Sequence, residues 1–320
     1  MRIATWEHAG SRRSGVVVDG RAHAFGGGAE SLTVLVSGAA ALRRAGVAAT
    51  ADAGVPLADV RLLPPVTPPS VRDFLAFHEH LEGVVARFGH PVPPAWYENP
   101  TFYFSNPHGL VGAYDEVPVP PGCHLLDFEL EVAAVIGTAG RDLTPAQARE
   151  HIVGYVIMND WSARDLQARE MTVHLGPAKG KDFATTLGPW LVTTDEIEAH
   201  RDGDGFLDLE MTVEVNGVTA GSDTLASMSW TFEELVSYAS RGTWVQPGDV
   251  IGSGTCGSGC LAELWGRRGT QDPPALAVGD VVTMTVSGLG TISNRVVRGG
   301  EAVPLPTARS RPVRTRAGQR

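Results

Sequence analysis

The sequence predicts an α+β, β-rich fold, on three observations. The 38 glycines and 22 prolines in 320 residues favour many short strands and tight turns over long helices. Short runs rich in alternating or β-branched residues recur from the first residues to the last hundred. Asn216-Gly217 follows one such alternating run, a strong hairpin signal.

Taken in order, residues 2–5, 15–18 and 21–25 read as strands between glycine-rich turns, and an alanine-rich pattern over 37–45 reads as a helix. Together they make a small N-terminal α+β module, residues 1–65. The run Leu62-Leu-Pro-Pro-Val-Thr-Pro-Pro-Ser supplies its boundary, because clustered prolines favour extended backbone and continue neither element. Residues 71–88 read as a helical or lid-like stretch carrying Asp73, His78, His80 and Glu82, which Pro91-Val-Pro-Pro ends. Strands are then expected over 101–104, 110–111, 127–136, 152–159, 207–215, 249–251 and 281–286, within a larger domain of residues 66–306. From 307 to 320 the chain holds five arginines and no apolar cluster, which reads as a flexible basic tail.

Composition acts as a filter. A net charge of −10 argues against a general nucleic-acid surface, and 43% hydrophobic with 19% charged residues is ordinary for a soluble enzyme. Cys123, Cys256 and Cys260 form no CxxC pair, so they read as reduced thiols rather than a disulfide framework or zinc knuckle. No cationic start with an apolar stretch follows Met1, and no run approaches the roughly 18 apolar residues of a membrane span. The expectation is a cytoplasmic protein with neither membrane nor nucleic-acid partner.

Four segments carry chemistry. Asp127-Phe-Glu-Leu-Glu alternates so that three carboxylates share one strand face, opposite Phe128, Leu130 and Val132. Same-face neighbours lie about 7 Å apart, so each pair costs roughly 2 kcal/mol at an effective dielectric near 20. A solvated acidic face and a cation site both satisfy that pattern. In Met158-Asn-Asp-Trp-Ser-Ala-Arg-Asp-Leu-Gln an apolar strand runs into a helical pattern that Asp160 would cap, with Asp160, Arg164 and Gln167 on one helical face. A capping Asp with surface Arg and Gln is the alternative. Gly180-Lys-Asp-Phe-Ala-Thr-Thr-Leu-Gly-Pro-Trp suits an irregular loop lining a pocket. Gly252-Ser-Gly-Thr-Cys-Gly-Ser-Gly-Cys-Leu-Ala-Glu-Leu lacks the Gly-Lys-Ser/Thr ending and helix pattern of a phosphate loop, which excludes nucleotide binding and leaves Glu263 as a candidate buried carboxylate.

In this order, the four segments resemble the fumarylacetoacetate hydrolase family over about residues 71–297. The resemblance implies a mixed β-sandwich roll as the catalytic domain and a homodimer. It implies one divalent ion held through oxygen by Asp73, Glu129, Glu131 and Asp160, with Asp127 a neighbour outside the ligand set. It also implies that His80, seven residues after Asp73, is the catalytic base, oriented by Glu263. Arg164, Gln167 and Lys181 would surround the substrate, Tyr103 would contact it, and Thr185 would lie near a second ion or loop carbonyls. Two departures stand out: the glycine loop is shorter than in the animal enzyme type, and Arg87 is out of register with the family's lid arginine. His78 lacks the offset that His80 has, and His80 lacks the His-x-x-Glu spacing of the shorter acylpyruvases and oxaloacetate decarboxylases. Hard carboxylate ligands, without nearby Cys or paired His, favour Mg²⁺, Ca²⁺ or Mn²⁺ over Zn²⁺. The expected substrate is a small diketo or oxo acid. The expected function is hydrolysis of a carbon–carbon bond in a β-diketo acid such as fumarylacetoacetate or an acylpyruvate. The alternatives are a decarboxylase, isomerase or hydratase of a 2-oxo or 2-hydroxymuconate-type acid, or a non-catalytic member.

Overall fold

The computed structural model describes residues 1–86 and 89–310; Arg87 and the arginine-rich end of the tail, 311–320, lie outside the described residues. The chain opens with a meander, β1 (Arg2–His8), β2 (Ser11–Val18) and β3 (Arg21–Ala24), followed by helix α1 (Ala39–Ala49). The middle of the chain holds β4 (Val71–Phe74), α2 (His78–Ala86), β5 (Phe102–Ser105), β6 (Leu130–Ile136), β7 (Ile152–Asp160), α3 (Arg164–Met171) and β8 (Thr185–Thr193). Then come β9 (Glu210–Val215), β10 (Val218–Thr224), α4 (Phe232–Ser240), β11 (Val250–Gly252), α5 (Leu261–Arg268), β12 (Val281–Val286) and β13 (Gly290–Val297). The fold is α+β and β-rich.

One mixed sheet of twelve strands runs through the molecule in the order β3-β2-β1-β8-β7-β6-β11-β4-β5, with shorter strands added at its margins. The N-terminal meander continues this sheet, since Arg2 pairs with Val192 and Ile3 with Leu191. The backbone ladder is thus unbroken on either side of the proline-rich connection. A second sheet of five strands, β10-β9-β12-β13 plus Val117–Pro118, packs against the first.

Alternation along β6 explains the layers. Leu130, Val132, Ala134 and Ile136 face the core shared with Met211, Val213, Met284 and Ile292 of the second sheet. Ala133 and Val135 face the opposite side, joining Val71, Val156, Met158 and Leu187 under Leu35 and Leu42 of the N-terminal helical segments. Every side chain of β6 is buried. Each large apolar one contributes about 1.5–3 kcal/mol by leaving water.

Three local readings of the sequence are corrected. Residues 71–74 are a strand rather than the start of a helix; all four are buried, so the strand shows no polar/apolar alternation to read. The expected strand over 127–136 is broken: Leu126–Asp127 pairs with Ser162–Ala163, and regular pairing resumes at Leu130. A helix does follow the glycine loop, α5, with Cys260 Sγ at its N-cap accepting from the Glu263 amide at 3.4 Å.

Candidate active site

The site grows from one end of the large sheet, on the face that buries Val71, Ala133, Met158 and Leu187. Two residues further along each strand, the same face presents Asp73, Glu131, Asp160 and Thr185. The register sets them on one face in diagonal steps: Asp73 lies opposite Gly252, which pairs with Ala133, Glu131 lies opposite Met158, and Asp160, two residues further, opposite Thr185. Glu129 reaches the group through the break before β6, where Asn159 Oδ1 accepts the Glu129 amide at 3.0 Å. Gly252 is a structural requirement that the sequence reading passed over: a Cβ there would lie 2.5 Å from Asp73 Oδ1 and 3.2 Å from Glu131 Oε2. Gly252→Ala is expected to displace Asp73 and weaken Mg²⁺ binding about tenfold or more in calorimetry; unchanged affinity would show that Asp73 is not held by this contact.

The expectation of a helical face shared by Asp160, Arg164 and Gln167 is revised. Asp160 ends a strand, and α3 begins at Arg164 with Ala163 as its N-cap. The three side chains still meet through shared partners. Oxygens of Asp73, Glu129 and Glu131 lie within 4.8 Å of one another. The Tyr103 hydroxyl bonds Asp73 Oδ2 at 2.8 Å and also Asp160, so it bridges the two. Lys181 Nζ stands between Glu129 and Asp160, 2.5 Å from Asp160 Oδ2. Arg164 pairs with Glu129 at 2.8 Å and with Asp127 at 2.8 Å, and donates to Gln167 Oε1 at 3.1 Å. Asp127 also accepts the amides of Leu261 and Ala262 at 2.8 and 2.9 Å, tying α5 to the acidic segment.

The acidic strand face is therefore not solvated: Asp73, Asp127, Glu129, Glu131 and Asp160 are all buried beside the buried Lys181 and the half-buried Arg164. Asp73 Oδ1, Glu131 Oε2 and Asp160 Oδ1 are buried without a hydrogen-bond partner. Burial, then the charge of Asp160, pushes the Asp73 carboxyl up to about 7. Burial and Asp73 raise Glu131 well above the carboxylate range, and burial with Glu129 raises Asp160 despite Lys181. Glu129 goes the other way, because Lys181 and Arg164 outweigh its burial and hold it at about 2. Buried carboxylates with orphaned oxygens fit a hard divalent cation at Asp73, Glu129 and Glu131, the three whose oxygens converge; Asp160, the fourth expected ligand, is joined to them through Tyr103 and Lys181 and is not among the cavity-lining residues.

A pH dependence follows for chelator-treated protein. The Asp73 carboxyl ionises near 4 in the unfolded chain and about 7 in the fold, so stability falls as pH rises across that window. Glu129 acts oppositely, its contribution being lost as pH drops from about 4.5 towards about 2. Melting temperature with chelator should decline from pH 5 to 7, and Mg²⁺ should restore more at pH 7 than at pH 5. Parallel curves with and without Mg²⁺ would contradict this.

On the other side of the cavity, α2 and α5 cross so closely that a Cβ on Gly266 would lie 2.1 Å from the Gly83 carbonyl oxygen. This brings His80 Nδ1 to 3.2 Å from Glu263 Oε2, both buried. Glu263 also accepts the Ser258 amide at 2.9 Å and pairs with Arg267 at 2.7 Å. His78 instead bonds the Tyr97 hydroxyl at 2.7 Å. The expectation of no nearby cysteine is corrected, since Cys260 Sγ lies 3.8 Å from His80 Nδ1.

His80, Tyr103, Arg164, Gln167 and Lys181 line, with Asp73, Glu129 and Glu131, one cavity of about 730 Å³. Thr185 sits beside Asp160 in the ladder, its amide bonded to the Gly109 carbonyl at 3.0 Å, and is not among the cavity-lining residues.

Residues 70–297 match the family model described as fumarylacetoacetate (FAA) hydrolase, C-terminal, and the chain belongs to that family. It is 29% identical to fumarylacetoacetase from Oryza sativa subsp. japonica, over 76% of this chain and 71% of that one. It is 33% identical to the mitochondrial oxaloacetate tautomerase of Homo sapiens, over 65% of this chain and 60% of that one. The chain thus spans about six- to seven-tenths of these relatives' length. Among solved structures, fumarylacetoacetate hydrolase from psychrophilic Exiguobacterium antarcticum superposes with a TM-score of 0.69 at 29% identity, covering 93% of this chain and all of that one. No helix among the described residues is long and apolar enough to cross a membrane.

Proposed function

We propose that this chain is a divalent-metal-dependent hydrolase that cleaves a carbon–carbon bond in a β-diketo acid. The observation that carries this reading is the buried His80–Glu263 pair, 3.2 Å apart, whose His80 lines the same cavity as Asp73, Glu129 and Glu131. A divalent ion, Mg²⁺ or equally Ca²⁺ or Mn²⁺, held by Asp73, Glu129, Glu131 and Asp160 supplies Lewis-acid polarisation of the substrate oxygens. The remaining work falls to side chains. Glu263 accepts the Nδ1 proton of His80, which leaves Nε2 as the basic atom that takes a proton from water. The water oxygen bonds to the carbonyl carbon, the bond to the central carbon breaks with its electron pair on that carbon, and a proton returns there. Arg164, Lys181 and Gln167 bind the substrate carboxylate and stabilise the developing oxyanion, each donor worth roughly 10²-fold or more. Leu75, Leu81, Val84, Met171 and Trp265 give the cavity an apolar wall for the acyl part.

A second reading, enol–keto tautomerisation of a 2-oxo acid, draws on the 33% identity to the oxaloacetate tautomerase. It uses the same groups to move a proton but needs no attacking water. Turnover of fumarylacetoacetate, acylpyruvates and oxaloacetate enol in ¹⁸O-labelled water with Mg²⁺ separates the two. Label in a product carboxylate supports hydrolysis; equilibration without label supports tautomerisation, and no turnover of any diketo acid removes the hydrolytic reading.

A further inference from the structure

We propose that His80, Cys260 and Glu129 form a second metal site, selective for a borderline-soft divalent ion such as Zn²⁺, and that filling it takes His80 out of the reaction. All three are buried, and their donor atoms lie within 4.8 Å of one another. The spacing is close to what such an ion needs. Bonds of about 2.3 Å to sulfur and about 2.0–2.1 Å to nitrogen at a tetrahedral angle put the two donors about 3.6 Å apart. His80 Nδ1 and Cys260 Sγ are already 3.8 Å apart.

Donor chemistry separates this site from its neighbour. The carboxylate cluster presents oxygen alone and suits a hard ion, whereas one nitrogen, one sulfur and one oxygen suit Zn²⁺ or Co²⁺ and discriminate against Mg²⁺ and Ca²⁺. Ionised Cys260 and Glu129 together offset the two positive charges of the ion. Arg164 and Lys181 beside Glu129 oppose its entry, but each is also paired with another carboxylate, Asp127 and Asp160 respectively. Glu129 belongs to both donor sets, so the two sites are coupled.

Coordination through Nδ1 requires that His80 release Glu263. That release leaves no stranded charge, because Glu263 keeps the Ser258 amide at 2.9 Å and Arg267 at 2.7 Å. The thiol proton leaves to solvent, and the imidazole keeps its single proton on Nε2. This tautomer is the reverse of the one a base needs, so the atom assigned to take a proton from water already carries one. The inhibitory consequence rests on the proposed hydrolase reading; the metal site itself does not.

The test uses Co²⁺ as probe, added to the full chain in excess Mg²⁺. A near-ultraviolet thiolate-to-cobalt charge-transfer band is expected at one equivalent, absent in Cys260→Ser and retained in Cys256→Ser and Cys123→Ser. His80→Asn keeps the thiol but removes a ligand, and should weaken Co²⁺ and Zn²⁺ binding by about tenfold or more. No band in the wild-type protein, or a band that survives Cys260→Ser, overturns the proposal. If Cys260→Ser fails to fold by circular dichroism, unchanged Co²⁺ affinity in His80→Asn overturns it instead. A band that behaves as expected in a protein that turns over no diketo acid would leave the metal site standing and remove the hydrolase reading.

Discussion

His80→Gln is expected to lower kcat for β-diketo acid hydrolysis by about 10²–10⁴-fold, the usual worth of a positioned general base. Mg²⁺ affinity should stay within about twofold. The separation is chemical: His80 takes its orientation from Glu263 on α5, not from the sheet, and contributes none of the carboxylate oxygens that converge at Asp73, Glu129 and Glu131. Glutamine retains a group able to bond Glu263 but has no basic nitrogen. Absorbance assays give kcat, and calorimetry with Mg²⁺ gives the affinity. Hydrolysis at the wild-type rate would end the general-base assignment, and a large loss of Mg²⁺ binding would mean that His80 shapes the ion site directly.

The second large effect is a reversal of sign at Glu131. In the metal-free fold this carboxyl is buried, its Oε1 accepts from the Thr255 hydroxyl at 3.4 Å, and Oε2 has no partner. Burial and Asp73 hold this carboxyl well above the carboxylate range, so Glu131→Gln removes a group whose ionisation the fold opposes; at a pH high enough to ionise it, the chelated variant should melt higher than chelated wild type. With Mg²⁺ at 100 times its Kd, wild type should gain about 2.7 kcal/mol from binding, while the variant should gain almost none. Activity should fall with the lost ion. Equal Mg²⁺-induced shifts in the two proteins would show that Glu131 is not a ligand.

Regular strands were legible in the sequence: the expected 281–286 is Val281–Val286, and the expected 152–159 ends one residue short of Asp160. β8 was not legible, because Gly188-Pro189 interrupts its pattern. The ladder absorbs it at a register shift between Tyr155 and Ile157, where a residue without an N–H is tolerated. The acidic segment announced itself because its carboxylates fall within five residues. Asp73 did not, since four buried residues in a row carry no period, and it came forward only through the family resemblance. The approach of His80 to Glu263 and Cys260 is set by how α2 crosses α5, some 180 residues later in the chain, and no local pattern encodes that. Gly83 and Gly266 are its only trace, and they become meaningful once the crossing is seen.

β4 is held in the sheet by its parallel ladder with β11, which aligns Asp73 with Gly252. During synthesis, then, the first ligand to emerge waits for a partner strand made nearly two hundred residues afterwards, and Glu263 arrives later still. A nascent chain stopped before residue 250 would carry all four proposed ligands, with β6, β7 and β8 to set three of them, but not the strand that docks Asp73 beside them. Competence to capture the ion should therefore arise in one late step of biosynthesis, not grow gradually with chain length.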